Sequence, residues 1–116
     1  MDNFCIFCKI ANEKKSEKRI YENDNFFSLL DIKPVVKGHS LIVSKRHFKN
    51  ILDMPESLGS ELLDCIKKTS LEMMKRTKSE GFNIVNNTLD AAGQKVDHFH
   101  IHILPRKKDD GIKIGP

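Results

Sequence analysis

The stretch Asp97-His98-Phe99-His100-Ile101-His102-Ile103-Leu104 alternates imidazole with apolar side chains. In a β-strand successive side chains point to opposite faces, so His98, His100 and His102 line one face. Phe99, Ile101 and Ile103 then line the other and need a cover. The polar row needs a task, because imidazoles on a half-buried strand are costly without one. Alternate Cβ atoms lie roughly 7 Å apart along a strand, so the three rings cannot all reach one atom. The spacing allows a central His with a neighbour on each side. Three chemistries stay open at this point. The rings are structural, or an H-x-H pair ligates a metal together with two thiolates. Alternatively, a neutral imidazole acts as a nucleophile while its neighbours orient it and hold an anion.

The remaining patterns supply the cover. Phe4, Phe7, Cys8 and Ala11 recur at helical spacing, predicting a short helix within residues 4–12, followed by a polar connection over 13–19. Segments 19–21 and 25–32 read as strands about the turn Glu22-Asn23-Asp24-Asn25, and 39–44 reads as a third. Leu58, Leu62, Ile66, Thr69, Met73 and Thr77 predict one long amphipathic helix over about 55–79, with Pro55 in its first turn and Gly81 as its stop. Residues 82–86 form a strand, 88–94 a turn-rich loop and 96–104 the last strand, ended by Pro105. This order predicts a single α+β domain over 1–116. Its five-stranded antiparallel sheet carries one long helix and a short N-terminal helix. One long helix covers one face only, leaving the other for a site or a partner.

A chain of 116 residues, 39% hydrophobic and 31% charged, has the balance of a soluble protein with one core. It has no apolar run of the roughly 20 residues that span a bilayer, and the acidic Asp2 argues against a signal peptide. Three cysteines, an odd number, argue against a disulfide framework and for a reducing, cytoplasmic setting. Cys65 falls in the helical pattern as a core residue. Cys5 and Cys8 form a C-x-x-C that reads as a redox pair, half of a zinc site or two buried small hydrophobes. The net charge of +4 favours anionic ligands without naming one. Lys and Arg are dispersed and not interleaved with aromatics, which argues against a nucleic-acid partner.

Taken together, the motifs resemble the histidine triad (HIT) family of nucleotidyl hydrolases and transferases. His98 to Leu104 meets the family's His-φ-His-φ-His-φ-φ motif, φ being apolar. Cys5-Ile6-Phe7-Cys8-Lys9-Ile10 is similar to the start of bacterial members. Leu30-Asp31-Ile32-Lys33-Pro34, Lys37-Gly38-His39-Ser40-Leu41-Ile42-Val43 and Ala92-Gly93-Gln94-Lys95-Val96 match three further segments in the family's order. The resemblance implies the HIT-like fold, usually as a homodimer. It also implies hydrolysis at the α-phosphate of purine nucleotide conjugates: phosphoramidates, adenylates or dinucleoside polyphosphates. The alternative is a purine-nucleotide-binding regulatory protein whose hydrolysis is incidental.

Roles follow from the same resemblance. His100 is implied as the nucleophile, oriented by the backbone carbonyl of His98. His102 sits by the phosphate and leaving group, and His39 completes the catalytic cluster. Backbone N–H groups of Gly93, Gln94, Lys95 and Val96 hold phosphoryl oxygens, with Asn87 nearby. Asp31 accepts the ribose hydroxyls, and Ile6, Phe7, Ile10, Leu29, Ile32 and Leu41 form the base slot. Cys5, Cys8, His47 and His98 are implied as a structural zinc site that the chemistry does not require. Lys95 departs from the Ser or Thr of many relatives, which leaves the leaving group open. The chain also ends at Gly115-Pro116 without the aromatic terminus of many bacterial members.

Overall fold

Alternation along the strands sorts side chains onto two faces, and both faces are covered. The computed structural model describes residues 5–13 and 18–115. Strands β1 (Arg19–Glu22), β2 (Phe26–Leu30), β3 (Ser40–Ser44), β4 (Gly81–Val85) and β5 (His100–Arg106) form one sheet in the order β1-β2-β3-β5-β4. Every neighbouring pair is antiparallel. The helices are α1 (Ile6–Ala11) and α2 (Gly59–Thr77). This is the predicted architecture. Phe4, part of the predicted first helix, lies outside the described residues, as does part of the polar connection after α1.

On one face Phe26, Ile42, Phe99, Ile101 and Ile103 pack with Cys65 under α2, whose Leu62 and Ile66 lean on the cluster. Cys65 is fully buried there, and its thiol is pushed up to about 11, chiefly by burial, so it stays protonated. The opposite face is only partly open. Phe27, Leu41 and Val43 pack there against Cys5, Phe7 and Cys8 of the N-terminal segment. All five residues of β3 are buried as a result.

The boundaries differ from the sequence pattern for local reasons. Pro55 precedes a separate 3-10 turn, Glu56–Leu58, and α2 begins only at Gly59. The helix stops at Lys78, which adopts the left-handed conformation at φ 56°. The N–H groups of Lys78 and Ser79 both cap the Met74 carbonyl. Gly81 therefore does not stop the helix; it opens β4, opposite Arg106. Residues 96–99 lie outside β5, and Pro105 lies within it, opposite Phe82. Proline is tolerated because its nitrogen faces the β3 side, where pairing has already ended at Ile103.

Gly38 positions the loop that delivers His39. It sits at φ +85°, and a Cβ there would lie 2.7 Å from Thr77 Cγ2 at the end of α2. Only glycine gives both that backbone angle and that approach.

Candidate functional site

The loop after β2, strand β3, the turn before β5 and helix α1 together enclose a cleft of about 690 Å³. That is the volume class of a small-molecule site. Of the residues expected around a nucleotide, Ile6, Phe7, Ile10, Leu29, Asp31, Ile32, Leu41, Asn87, Gly93, Lys95 and Val96 line it, with His100 and His102. Leu30 and Lys33 line it too and were missed; Lys33 lies only two residues beyond Asp31.

Gln94 is absent from the lining. Its side-chain carbonyl accepts from Leu89 N at 2.8 Å, and its amide donates to the Lys49 and Val96 carbonyls at 2.6 and 3.0 Å. It braces the turn from outside. The backbone N–H groups of Gly93 and Gln94 are also committed, to the carbonyls of Asp90 and Leu89. Among the described residues, the N–H groups of Lys95 and Val96 keep no such partner and remain available for an anion.

His100 has a defined tautomer. Its Nδ1 lies 2.8 Å from the His98 carbonyl oxygen. A carbonyl only accepts, so Nδ1 carries the proton, and the neutral ring keeps its lone pair on Nε2. The Asn86 amide holds the strand in place by donating to the His100 carbonyl at 2.9 Å. Phe7 packs against the imidazole with ring centroids 5.1 Å apart.

His102 and His39 form a second chain with the opposite polarity. Val35 N donates to His39 Nδ1 at 3.2 Å, which leaves the His39 proton on Nε2. That nitrogen lies 2.9 Å from His102 Nδ1 and 3.4 Å from Asp31 Oδ2. His102 accepts at Nδ1 and so presents Nε2–H as a donor. His39 is buried and does not itself line the cleft. Asp31, His39 and His102 are close enough to share a metal ion. The Val35 N–H argues against one, because it leaves His39 Nε2 protonated and unable to ligate. Burial pulls both imidazoles below their usual range, and His102, also facing His100 and His39, is pushed down to about 4. Asp31 Oδ1 accepts from Lys33 N at 2.8 Å.

Behind the cleft lies a separate cluster. Cys5 Sγ is 3.2 Å from His98 Nδ1, Cys8 Sγ is 3.6 Å from the same atom, and Cys8 Sγ is 3.1 Å from His47 Nδ1. The four donor atoms lie within 4.8 Å of one another. Ligands of a tetrahedral zinc ion are themselves about 3.3–3.8 Å apart, given bonds of roughly 2.0–2.3 Å. His98 Nε2 donates to the Ser44 carbonyl at 2.7 Å, which turns the Nδ1 lone pair toward the sulfurs. A backbone acceptor behind a ligating imidazole is the usual second partner of such a ring. Two thiols and two imidazoles in this arrangement fit a closed zinc site.

Comparison with known proteins agrees with this geometry. The family model of the HIT domain matches residues 12–109. An uncharacterised HIT-like protein of Methanocaldococcus jannaschii is 42% identical, over 96% of this chain and 87% of its own. An adenylylsulfatase of Arabidopsis thaliana is 37% identical, over 95% of this chain and 56% of its own. An adenosine 5′-monophosphoramidase of Candida albicans is 34% identical, over 96% of this chain and 75% of its own. Among solved structures, a Streptococcus mutans protein superposes with a TM-score of 0.89 at 36% identity, covering 100% of this chain and 74% of its own. A zinc-bound histidine triad family protein of Mycobacterium smegmatis gives 0.85 at 31% identity, covering 96% and 81%.

The histidine chain generates a pH signature. An unfolded His takes up its proton near pH 6.5. Folded His102 refuses that proton until about pH 4. In that window the unfolded state binds more protons, so stability falls as pH drops from about 6.5 toward 4 and is flat above. Denaturant unfolding at stepped pH checks this. His102→Gln is expected to shallow the decline between pH 6.5 and 5; an unchanged slope would contradict the neutral, half-buried ring.

Proposed function

The chain belongs to the HIT domain family, and on that premise we propose that it hydrolyses purine nucleotide conjugates at the α-phosphate through a covalent nucleotidyl-His100 intermediate. One observation carries the reading. The His98 carbonyl accepts a hydrogen bond from His100 Nδ1–H, which leaves the lone pair on the opposite nitrogen of a ring that lines the cleft. The adenylylsulfatase and the adenosine 5′-monophosphoramidase among its relatives support nucleotide hydrolysis as the class of reaction.

In the proposed mechanism the apolar wall of Ile6, Phe7, Ile10, Leu29, Ile32 and Leu41 takes the base. Asp31 accepts the ribose hydroxyls. The free N–H groups of Lys95 and Val96, with Asn87, hold non-bridging phosphate oxygens as charge shifts in the transition state. His100 Nε2 attacks the α-phosphorus, and the bond to the leaving group breaks with its electron pair. His102 Nε2–H donates to the departing atom. Water then attacks the same phosphorus, the P–N bond breaks, and Nε2 regains its lone pair. Two easier displacements replace one difficult step. His39 acts through His102, fixing which of its nitrogens carries the proton.

His100→Ala tests this reading. Hydrolysis of adenosine 5′-phosphoramidate and adenosine 5′-phosphosulfate is expected to fall by roughly a thousandfold or more. AMP binding, measured by calorimetry, should stay within about fivefold. Unchanged hydrolysis would remove His100 from the nucleophile's role.

Two further properties belong to the reading. Zinc, held by Cys5, Cys8, His47 and His98, ties α1 to the strand behind the nucleophile and takes no part in the chemistry. The chain also pairs with a second copy across β4. That strand is an unpaired sheet edge with Phe82 and Ile84 exposed. An apolar edge of this kind invites pairing. Native mass spectrometry of protein purified without chelator reads both properties. The expected species holds two 13.3 kDa chains and two zinc ions. A Cys5→Ser, Cys8→Ser variant should lose the metal. A metal-free wild type would refute the zinc site, and a lone chain would refute the pairing.

A further inference from the structure

Two charged side chains of the cleft, Lys33 and Lys95, have no task in the scheme above. Lys95 lines the cleft in company with His100, His102 and Asn87. Among the described residues no carboxylate stands within ion-pair distance of its ammonium. Asp31, the carboxylate of the cleft lining, is already engaged with Lys33 N and His39. Lys33 is the cleft's other lysine, and it lies on the loop beside Asp31, at the ribose end. Lys95 instead follows Gln94 in the turn that feeds the histidine strand, and the Gln94 side chain clamps that turn to residues 49, 89 and 96. Its charge is therefore unneutralised and carried by a braced backbone.

We propose that Lys95 selects the leaving group. It favours nucleotide conjugates whose leaving group departs as an anion, such as sulfate or a polyphosphate, over conjugates that release an amine. This rests on the hydrolase reading above. When His100 Nε2 displaces sulfate, the bridging oxygen keeps the electron pair of the broken P–O bond and leaves with full negative charge. An ammonium brought beside it from the braced turn gains attraction as that charge grows, so it stabilises the transition state more than the bound substrate. When the P–N bond of a phosphoramidate breaks, the nitrogen takes one proton on the side where His102 Nε2–H donates, water later restores that proton, and the amine departs neutral. The ammonium gains nothing there. In both cases water completes the cycle and gives up one proton as the nucleotide is released.

The test compares kcat/KM for adenosine 5′-phosphosulfate and adenosine 5′-phosphoramidate in the wild type, Lys95→Ser, Lys95→Glu and Lys95→Arg. The phosphosulfate-to-phosphoramidate ratio is expected to fall about tenfold in Lys95→Ser, the scale of one charge contact near the surface. It should fall further in Lys95→Glu and stay near the wild-type value in Lys95→Arg. Removing a contact to the common phosphate would lower both substrates alike and leave the ratio fixed. A ratio unchanged across the series therefore overturns the proposal while leaving hydrolysis at His100 standing. A wild type that cleaves neither substrate overturns both.

Discussion

One residue, His98, holds two parts of the molecule at once. Its carbonyl accepts the Nδ1 proton of His100, and its own ring stands between two thiols with the Ser44 carbonyl behind it. A single hydrogen bond of this sort contributes only about 1 kcal/mol to net stability. Its larger effect is to select the tautomer: with the proton held on Nδ1, the other nitrogen of His100 keeps the lone pair that the proposed mechanism uses. The backbone of one residue thus sets the tautomer of another, and whatever fixes His98 fixes the His100 ring.

The sheet makes this economical. Antiparallel pairing places β5 between β3 and β4, with its apolar row under α2. The histidine row then faces the side on which α1 sits. Helix α1 has only six residues, yet it brings Ile6, Phe7 and Ile10 to the cleft and Cys8 to the donor cluster. Phe7 touches both functions, with its ring 5.6 Å from His98 and 5.1 Å from His100. The donor cluster and the apolar wall of the cleft are two sides of the same short helix.

The strand of alternating histidines was legible because a period of two has one simple structural meaning, and its apolar row does lie under the long helix. The loop motifs around Asp31, His39 and Gly93 were legible through the family resemblance, and residues of all three segments do reach the cleft or the histidine cluster. What could not be read depends on where the chain goes next. Lys78 stops α2 in a left-handed conformation more favourable to glycine, while Gly81 lies too far along and enters a strand. Pro105 reads as a terminator until it is known that β3 stops pairing at Ile103, on the side its nitrogen faces. Gln94 sits inside a matched motif, yet its side chain turns away to hold Lys49, a contact across 45 positions. The protonation order of His39 and His102 starts at the Val35 N–H, a backbone group that no sequence pattern marks.

The central claim is that the lone pair left on His100 becomes a covalent bond to phosphorus. It is tested most directly by denaturing the enzyme at alkaline pH during single turnover of adenosine 5′-phosphosulfate, then digesting it without acid and mapping adducts by mass spectrometry. The account predicts one adduct, of the mass of a nucleoside monophosphoryl group, on the peptide holding the histidine strand and on His100 within it. Turnover without any adduct, or an adduct on His98, His102 or His39 instead, would contradict it.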